Sequence, residues 1–322
     1  MSLSGMIMNR IMKQRPRSSQ VAAGQNLTAA VTASGELFTW GKGPGTGHGG
    51  GNGAVVAHPT RVPAFAPGSG LRVLAVSLGS SHGLALVVTG GGAAAAGPHA
   101  FAWGSNHRGQ LGLGPGMDGC PTPVPLPELA GGAALRCVAA CDLYSAAVTE
   151  QGQLWTWGSS VCLGHPMGSG GGGGNGDQAP SNVAPPPAAT SFLPRAVVLP
   201  GIDRGGGSDG GGGSCVASVG LGSLYCGCVT EGGALFTWGY GGHGNLGHGD
   251  RRSRPLPARV AGFGGPEHGG RRAVSVACTV GQAQPGGGLN PKNPGQVPSL
   301  YEQVFQPLFF FFEILLHADS CA

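Results

Sequence analysis

Histidine and cysteine are the residues of this chain that could bind a metal or act as a base, and their spacing argues against both roles. The repeated histidines lie in separate glycine-rich stretches, at His48, His107, His165 and His248. Each stretch contributes one histidine, whereas a zinc site needs about four converging ligands with recognisable spacing. We interpret these histidines as parts of turns, and we predict no catalytic residue, no metal site and no cofactor.

The nine cysteines also lack the spacing of metal ligands, since no Cys-x-x-Cys pair occurs. Cys226 and Cys228 alternate with small residues in an apolar run, which is typical of buried strand thiols. The odd count and the absence of a secretory signal indicate a reducing compartment, so we predict a cytoplasmic or nuclear location. The alternative is organellar targeting by residues 1–19, which carry Arg10, Lys13, Arg15 and Arg17 and no acid.

Two glycine-rich stretches superficially suggest phosphate loops, at residues 43–47 and 112–116. Neither carries Gly-Lys-Ser/Thr or lies between a strand and a long helix, so we interpret both as turns and predict no small-molecule substrate. The net charge of +4 is mild, and the arginines form no long basic stripe, which leaves nucleic acid or chromatin unsupported as a partner. The apolar run at residues 308–316 is shorter than the ~20 residues of a membrane-spanning helix, so we predict no membrane partner.

Four tryptophans end matching segments that could each form a strand. Three segments read Gly-x-Leu-x-x-Trp-Gly, and the second retains only Trp-Gly. Apolar residues occupy both faces of these strands, as expected for a sheet that lies between two neighbouring sheets. The recurring residues are Gly35, Leu37, Trp40 and Gly41; Trp103 and Gly104; Gly152, Leu154, Trp157 and Gly158; and Gly233, Leu235, Trp238 and Gly239.

A glycine-rich turn follows each tryptophan and is clearest in two copies. These copies place the same residue types in the same order, at Gly109, Leu111 and Gly112 and at Leu246 and Gly247. Each tryptophan segment is preceded by a short apolar run, a polar turn and a run of small residues. We therefore predict about four short strands in each unit. We expect these repeated residues to be structural.

The repeats predict an all-β fold, an incomplete β-propeller of about four to five four-stranded blades. The predicted units are residues 20–70, 71–134, 135–214 and 215–270, followed by a partial unit at 271–281. Glycine- and proline-rich insertions at 90–98, 167–191 and 205–214 are predicted to be disordered, because they cannot bury enough surface to offset their ordering entropy. We also predict a disordered basic tail at 1–19 and a tail without repeats at 282–322.

The repeat resembles that of the regulator of chromosome condensation family. Residues 105–112, Ser-Asn-His-Arg-Gly-Gln-Leu-Gly, match its pattern closely, and His82 stands where that pattern has a histidine. Leu27, Tyr144 and Tyr225 take this place in the other copies. The resemblance covers roughly residues 20–281 and implies a β-propeller. Members of the family close a seven-bladed ring, so this chain is expected to be a truncated or incomplete member.

The resemblance implies a protein partner. The founding member of the family is an exchange factor for the small GTPase Ran, and other members are adaptors, ubiquitin-ligase scaffolds or photoreceptors. We therefore predict a protein–protein interaction module without covalent catalysis. The alternative is a guanine-nucleotide exchange factor for a Ran-like small GTPase. A conventional enzyme or a photoreceptor that uses Trp155 and Trp157 is the third hypothesis, because blade packing already explains the tryptophans.

Overall fold

The computed structural model describes residues 18–89, 97–126, 129–166, 189–201, 215–264 and 271–278. These residues form four separate antiparallel sheets of four strands each. In every sheet the strands pair in chain order, as in the blades of a β-propeller. No sheet within the described ranges closes on itself, so the predicted all-β, incomplete propeller is confirmed.

The strands of the first two blades are as follows. Blade 1 contains β1 (Ser18–Ala23), β2 (Leu27–Thr32), β3 (Leu37–Lys42) and β4 (Val55–Arg61). Blade 2 contains β5 (Leu71–Leu78), β6 (His82–Thr89), β7 (His99–Ser105) and β8 (Gly119–Pro125).

The strands of the last two blades follow the same order. Blade 3 contains β9 (Leu135–Cys141), β10 (Tyr144–Thr149), β11 (Leu154–Ser160) and β12 (Ala189–Ala196). Blade 4 contains β13 (Val216–Leu221), β14 (Tyr225–Thr230), β15 (Leu235–Gly239) and β16 (Arg254–Arg259). Residues 271–278 lie beside blade 4, where Ala273 N donates to Gly233 O at 3.0 Å.

The hydrophobic core lies between successive blades. The second strands β10 and β14 are buried at every residue, because small and β-branched side chains pack against a neighbouring blade on both faces. Three of the tryptophans predicted to be structural, Trp103, Trp157 and Trp238, are the largest fully buried side chains. Strand β2 differs: Leu27, Ala29 and Val31 are buried, whereas the intervening residues are only half-buried. One face of the first blade is therefore less covered than its counterparts.

The predicted tail without repeats at 282–322 lies outside the described residues, and the segments predicted to be disordered fall mostly outside them, at 1–17, 90–96, 167–188 and 205–214. Two of their edges lie in strands. Ser18 and Ser19 belong to β1, which pairs with β2. The final three residues of the predicted insertion at 167–191 begin β12, where Ser191 lies opposite Gly158 of β11. Backbone pairing orders these five residues, contrary to the expectation of disorder, and the predicted unit boundaries stay predictions.

Candidate interaction site at the blade junctions and turns

Each blade after the first donates a hydrogen bond from its tryptophan to the preceding blade. The acceptor is a backbone carbonyl in the glycine-rich turn that follows the tryptophan of that preceding blade. Turn and tryptophan are therefore two halves of one junction. The pairs are Trp103 Nε1 to Gly45 O at 2.7 Å, Trp157 Nε1 to Gln110 O at 2.9 Å, and Trp238 Nε1 to Cys162 O at 2.7 Å.

Glycine in this turn makes room for the incoming indole. Gly112 has a φ of +73°, and a Cβ there would lie 2.9 Å from Trp157 Nε1. Gly164 has a φ of +74°, and its Cβ would lie 3.1 Å from Trp238 Nε1. At Gly109 a Cβ would lie 2.8 Å from the backbone of Phe192. The intervening Leu111 is fully buried between blades 2 and 3, so the predicted Gly-x-Leu-Gly pattern serves packing.

The glycine that follows each tryptophan lies against the turn between the first two strands of its own blade. Gly158 has a φ of +98°, and a Cβ there would lie 2.5 Å from Leu143 O. The next residue, Ser159, donates its N–H to the same carbonyl at 2.9 Å. Only glycine permits this approach and this backbone conformation. Equivalent contacts with a turn carbonyl occur at Gly41, Gly104 and Gly239.

The glycines at the start of the repeat motif join one blade to the next. Gly35, Gly152 and Gly233 each accept a backbone hydrogen bond from the segment that begins the following unit. The donors are Val73, Val216 and Ala273, at 2.9, 2.9 and 3.0 Å. The leucine two residues after each glycine is buried in the core, at Leu37, Leu154 and Leu235.

Three threonine–histidine pairs lie at the base of the turns, and sequence analysis missed them. Each threonine is buried in a tryptophan strand and bonds both a turn carbonyl and a histidine ring. Burial lowers the pKa of each histidine, so the rings are neutral near pH 7. The Oγ1–Nε2 distances are 2.9 Å for Thr39 and His48, 2.9 Å for Thr156 and His165, and 3.0 Å for Thr237 and His248.

The second blade has neither member of this pair. Ala102 replaces the threonine, and Leu113 occupies the position of His248. His107 is exposed and lies 3.5 Å from Asp118, so its grouping with the other three histidines was wrong. The sequence held the signal: the one tryptophan strand without threonine is followed by the one turn without the paired histidine.

The side chains that begin the second strands of blades 2 and 3 reach the next blade. His82 begins β6, is fully buried, and lies 3.0 Å through Nε2 from Ser145 Oγ of blade 3. Burial lowers the pKa of His82 to about 3, so the ring is neutral. Tyr144 begins β10 and donates to Gly222 O of blade 4 at 2.5 Å. These residues fill the place where the family pattern has a histidine, and each connects two blades.

Thiols surround Tyr144 at the junction of blades 3 and 4. Its hydroxyl lies 3.4 Å from Cys162 Sγ and 3.5 Å from Cys226 Sγ, and all three side chains are buried. Burial raises the pKa of Tyr144 and of Cys226, so both groups are uncharged. Within the described part of the chain, no group of three or more His, Cys, Asp or Glu side chains is placed to bind a metal. We interpret this cluster as part of the core.

Trp155 and Trp157 both contribute to the packing of blades 2 and 3. Trp157 is a member of the buried cluster between these blades, and Trp155 packs against it while half-buried. The Trp155 indole donates to Gln153 Oε1 at 3.0 Å. Packing therefore accounts for both rings.

The two ends of the arc hold unused halves of the junction. Trp40 of blade 1 is half-buried, and its indole N–H has no acceptor among the described residues. At the other end, a Cβ on Gly247 of blade 4 would meet only Val260 Cγ1, at 3.5 Å. No tryptophan of the described ranges occupies this turn, unlike those at Gly112 and Gly164.

Comparison with known proteins identifies the repeat. The family model of the regulator of chromosome condensation (RCC1) repeat matches residues 99–148 and 232–281. The chain carries RCC1 repeats. The first match runs from β7 to β10 and so crosses the junction between blades 2 and 3.

Two relatives with RCC1 repeats are longer than this chain. The chain is 30% identical over 279 residues to the human E3 ubiquitin-protein ligase HERC2, covering 87% of this chain and 5% of HERC2. It is 28% identical over 263 residues to the ultraviolet-B receptor UVR8 of Arabidopsis thaliana, covering 80% of this chain and 50% of UVR8. The chain therefore spans half or less of either relative.

Among solved structures, human WBSCR16 shares the fold. It matches with a TM-score of 0.60 and 23% sequence identity, over 82% of this chain and 56% of that protein. This likeness shows the RCC1-like β-propeller fold. No helix of the described residues is long and apolar enough to cross a membrane.

Proposed function

We propose that the chain is a protein–protein interaction module of the RCC1 type that performs no covalent catalysis. The supporting observation is that the repeated side chains hold blades together, whereas the loops between them differ in length and sequence. Trp103, Trp157 and Trp238 are all buried in junctions. A rigid scaffold that carries unlike loops is suited to recognising another protein.

The loops that would bind lie on one side of the arc. Because the strands of a blade alternate in direction, the turn after the first strand and the loop after the third strand emerge at the same end. We call this side the turn face; among its described residues are 24–26, 43–54, 79–81, 106–118, 142–143, 222–224 and 240–253. It carries two exposed apolar side chains, Met117 at 43% and Leu143 at 38% of their accessible surface. Apolar side chains in polar loops are typical of protein interfaces.

The proposal is tested with charged substitutions on the turn face. A partner is first captured by cross-linking from cells and then purified, and its affinity is measured by calorimetry. Met117→Asp and Leu143→Asp are expected to weaken binding at least about tenfold, because an interface charge would be buried without a partner. Val198→Asp, in the loop after β12 at the opposite end of blade 3, is the matched control, since Val198 is 65% exposed. Equal loss in the control, or no loss in either variant, would contradict the proposal.

Exchange of guanine nucleotide on a Ran-like small GTPase is the alternative function, which stays a prediction from the family resemblance. Exchange requires a shaped surface and no nucleophile, so it is compatible with the same turn face. The test measures release of a fluorescent GDP analogue from purified Ran with the chain at micromolar concentration. Acceleration that Met117→Asp removes would favour exchange, and an unchanged release rate would exclude it.

The cytoplasmic or nuclear location likewise stays a prediction.

A further inference from the structure

The first blade exposes a sheet face that resembles the faces buried elsewhere in the arc. Thr28 and Ala30 of β2 and Phe38 and Trp40 of β3 alternate with buried residues and are themselves half-buried. The strands that correspond to β2 in blades 3 and 4, β10 and β14, are buried at every residue. Trp103, Trp157 and Trp238, at the place of Trp40 in the other blades, are fully buried. We call these four residues of blade 1 the donor face.

Trp40 defines what this face can bind. The three other tryptophans of the repeat each donate to a carbonyl of the turn that follows a tryptophan strand, at 2.7–2.9 Å. Trp40 stands at the same place in the repeat, and its indole N–H has no acceptor within the described residues. An indole that is half-buried gains most from an occupant that combines apolar packing with a hydrogen-bond acceptor.

The turn after Trp238 contains the matching acceptor. Asn245 and Gly247 follow Trp238 at the same spacing as Gln110 and Gly112 follow Trp103, and Gln110 O is the acceptor for blade 3. Two observations mark this turn as incomplete. A Cβ on Gly247 would meet only Val260, and Asn245 Oδ1 is buried without a hydrogen-bond partner in the described structure.

We propose that the donor face of blade 1 docks against blade 4 of a second copy of this chain, with Trp40 Nε1 donating to Asn245 O. The three junctions inside the chain supply the geometry, and the chain carries the donor at one end and the acceptor at the other. Two different surfaces that fit each other give head-to-tail association. This inference is independent of the proposed function, since it uses the end faces of the arc and leaves Met117 and Leu143 free.

Segment 271–278 occupies part of the same position on blade 4. Its Ala273 donates to Gly233 O as Val73 and Val216, in the first strands of blades 2 and 4, donate to Gly35 and Gly152 of the blades before them. The β1 strand of the incoming copy replaces this segment, so the association exchanges one strand for another. The net gain in free energy on association is small for this reason, and we expect a dissociation constant in the micromolar range.

Analytical ultracentrifugation of the full chain, between about 1 and 100 µM, tests the proposal. The wild type is expected to shift from monomer to larger species. Trp40→Ala removes the donor and is expected to weaken association at least about tenfold. Gly247→Asn places a side chain in the tryptophan position, with a residue that tolerates positive φ, and is expected to have the same effect. Trp155→Ala, which also removes a half-buried indole, and Met117→Asp are expected to associate as the wild type does.

Mixing the two defective variants gives the decisive result. Trp40→Ala retains a normal acceptor and Gly247→Asn a normal donor, so a mixture forms a one-to-one dimer although each variant alone is monomeric. Circular dichroism verifies that each variant is folded. A wild type that stays monomeric at all concentrations, association unaffected by Trp40→Ala, or a folded mixture that fails to pair would overturn the proposal. So would protection of Trp40 from acrylamide quenching in the monomer, because a segment of the same chain would then cover it.

Discussion

Thr237 Oγ1 and His248 Nε2 lie 3.0 Å apart, and the same threonine bonds Leu246 O at 2.6 Å. Blade 2 replaces this pair with Ala102 and Leu113. The chain thus contains two solutions to one packing problem, one polar and one apolar. A blade that combines one residue of the polar pair with one residue of the apolar pair is expected to be less stable than a blade with either complete pair.

Thr237→Ala is therefore expected to lower the free energy of unfolding by about 1–3 kcal/mol, because it leaves a buried carbonyl and a histidine nitrogen without a partner. The double variant Thr237→Ala/His248→Leu, which reproduces blade 2, should lose less than the sum of the two single variants. Urea unfolding of the four proteins measures the coupling. Simple additivity would show that the pair does not act as a unit.

The tryptophan junctions should differ in strength. In the described residues Gly45 O accepts a hydrogen bond only from Trp103, whereas Gln110 O accepts from both Trp157 and Ser145. Trp103→Phe is expected to cost about 1 kcal/mol more than Trp157→Phe, since only the first leaves a buried carbonyl unpaired. Both substitutions remove the same atoms, which makes them matched controls for each other. Chemical denaturation compares them, and equal losses would contradict the account.

Gly158→Ala tests the reason for glycine after tryptophan. The new methyl group would lie 2.5 Å from Leu143 O at a φ of +98°. We expect a loss of about 3 kcal/mol in the free energy of unfolding, which combines backbone strain with displacement of the turn. Gly53→Ala is the control, because nothing lies within 4 Å of its Cβ position. Thermal melting of both variants gives the comparison, and a stable Gly158→Ala protein would refute the argument.

Stability should fall in mild acid because of His82. Its pKa is lowered to about 3 in the folded chain, against 6.5 as the ordinary value, so the unfolded chain binds more protons between these two pH values. The stabilisation from neutral His82 is complete above pH 6.5 and decreases as the pH falls, by about 2 kcal/mol between pH 8 and pH 5.

His82→Leu should reduce this pH dependence, since leucine does not titrate and Leu27 already begins β2 in blade 1. Ser145 keeps its hydrogen bond to Gln110 O in the variant. Urea midpoints of both proteins across this pH range provide the test. Parallel pH profiles would assign the effect to His48, His165 and His248, whose pKa values burial also lowers.

The blades could be predicted from the sequence because their signals are local. Leu37 and Trp40 lie in one strand, and Gly35 marks the turn before it, so a short window of residues contains the whole pattern. The start of β12 could not be predicted in this way. Residues 189–191 follow a long low-complexity stretch, and only their pairing with β11 makes them a strand.

The junction partners were not predicted because they depend on how two blades meet. Nothing around Gly45 identifies it as the acceptor for Trp103, 58 residues later in the chain. The threonine–histidine pairs were missed because their spacing differs, nine residues in blade 3 and eleven in blade 4. Loop length changes the spacing while the contact stays the same.

The tryptophan hydrogen bonds between blades all run in one direction, from each indole back to the preceding blade. The two ends of the arc therefore differ, with a tryptophan donor at the first blade and an acceptor turn at the last. Gain or loss of one whole repeat leaves the same donor at one end and the same acceptor at the other. Repeat number in such a chain can change by duplication or deletion during evolution without any new junction chemistry, and the turn face can gain or lose one loop at a time.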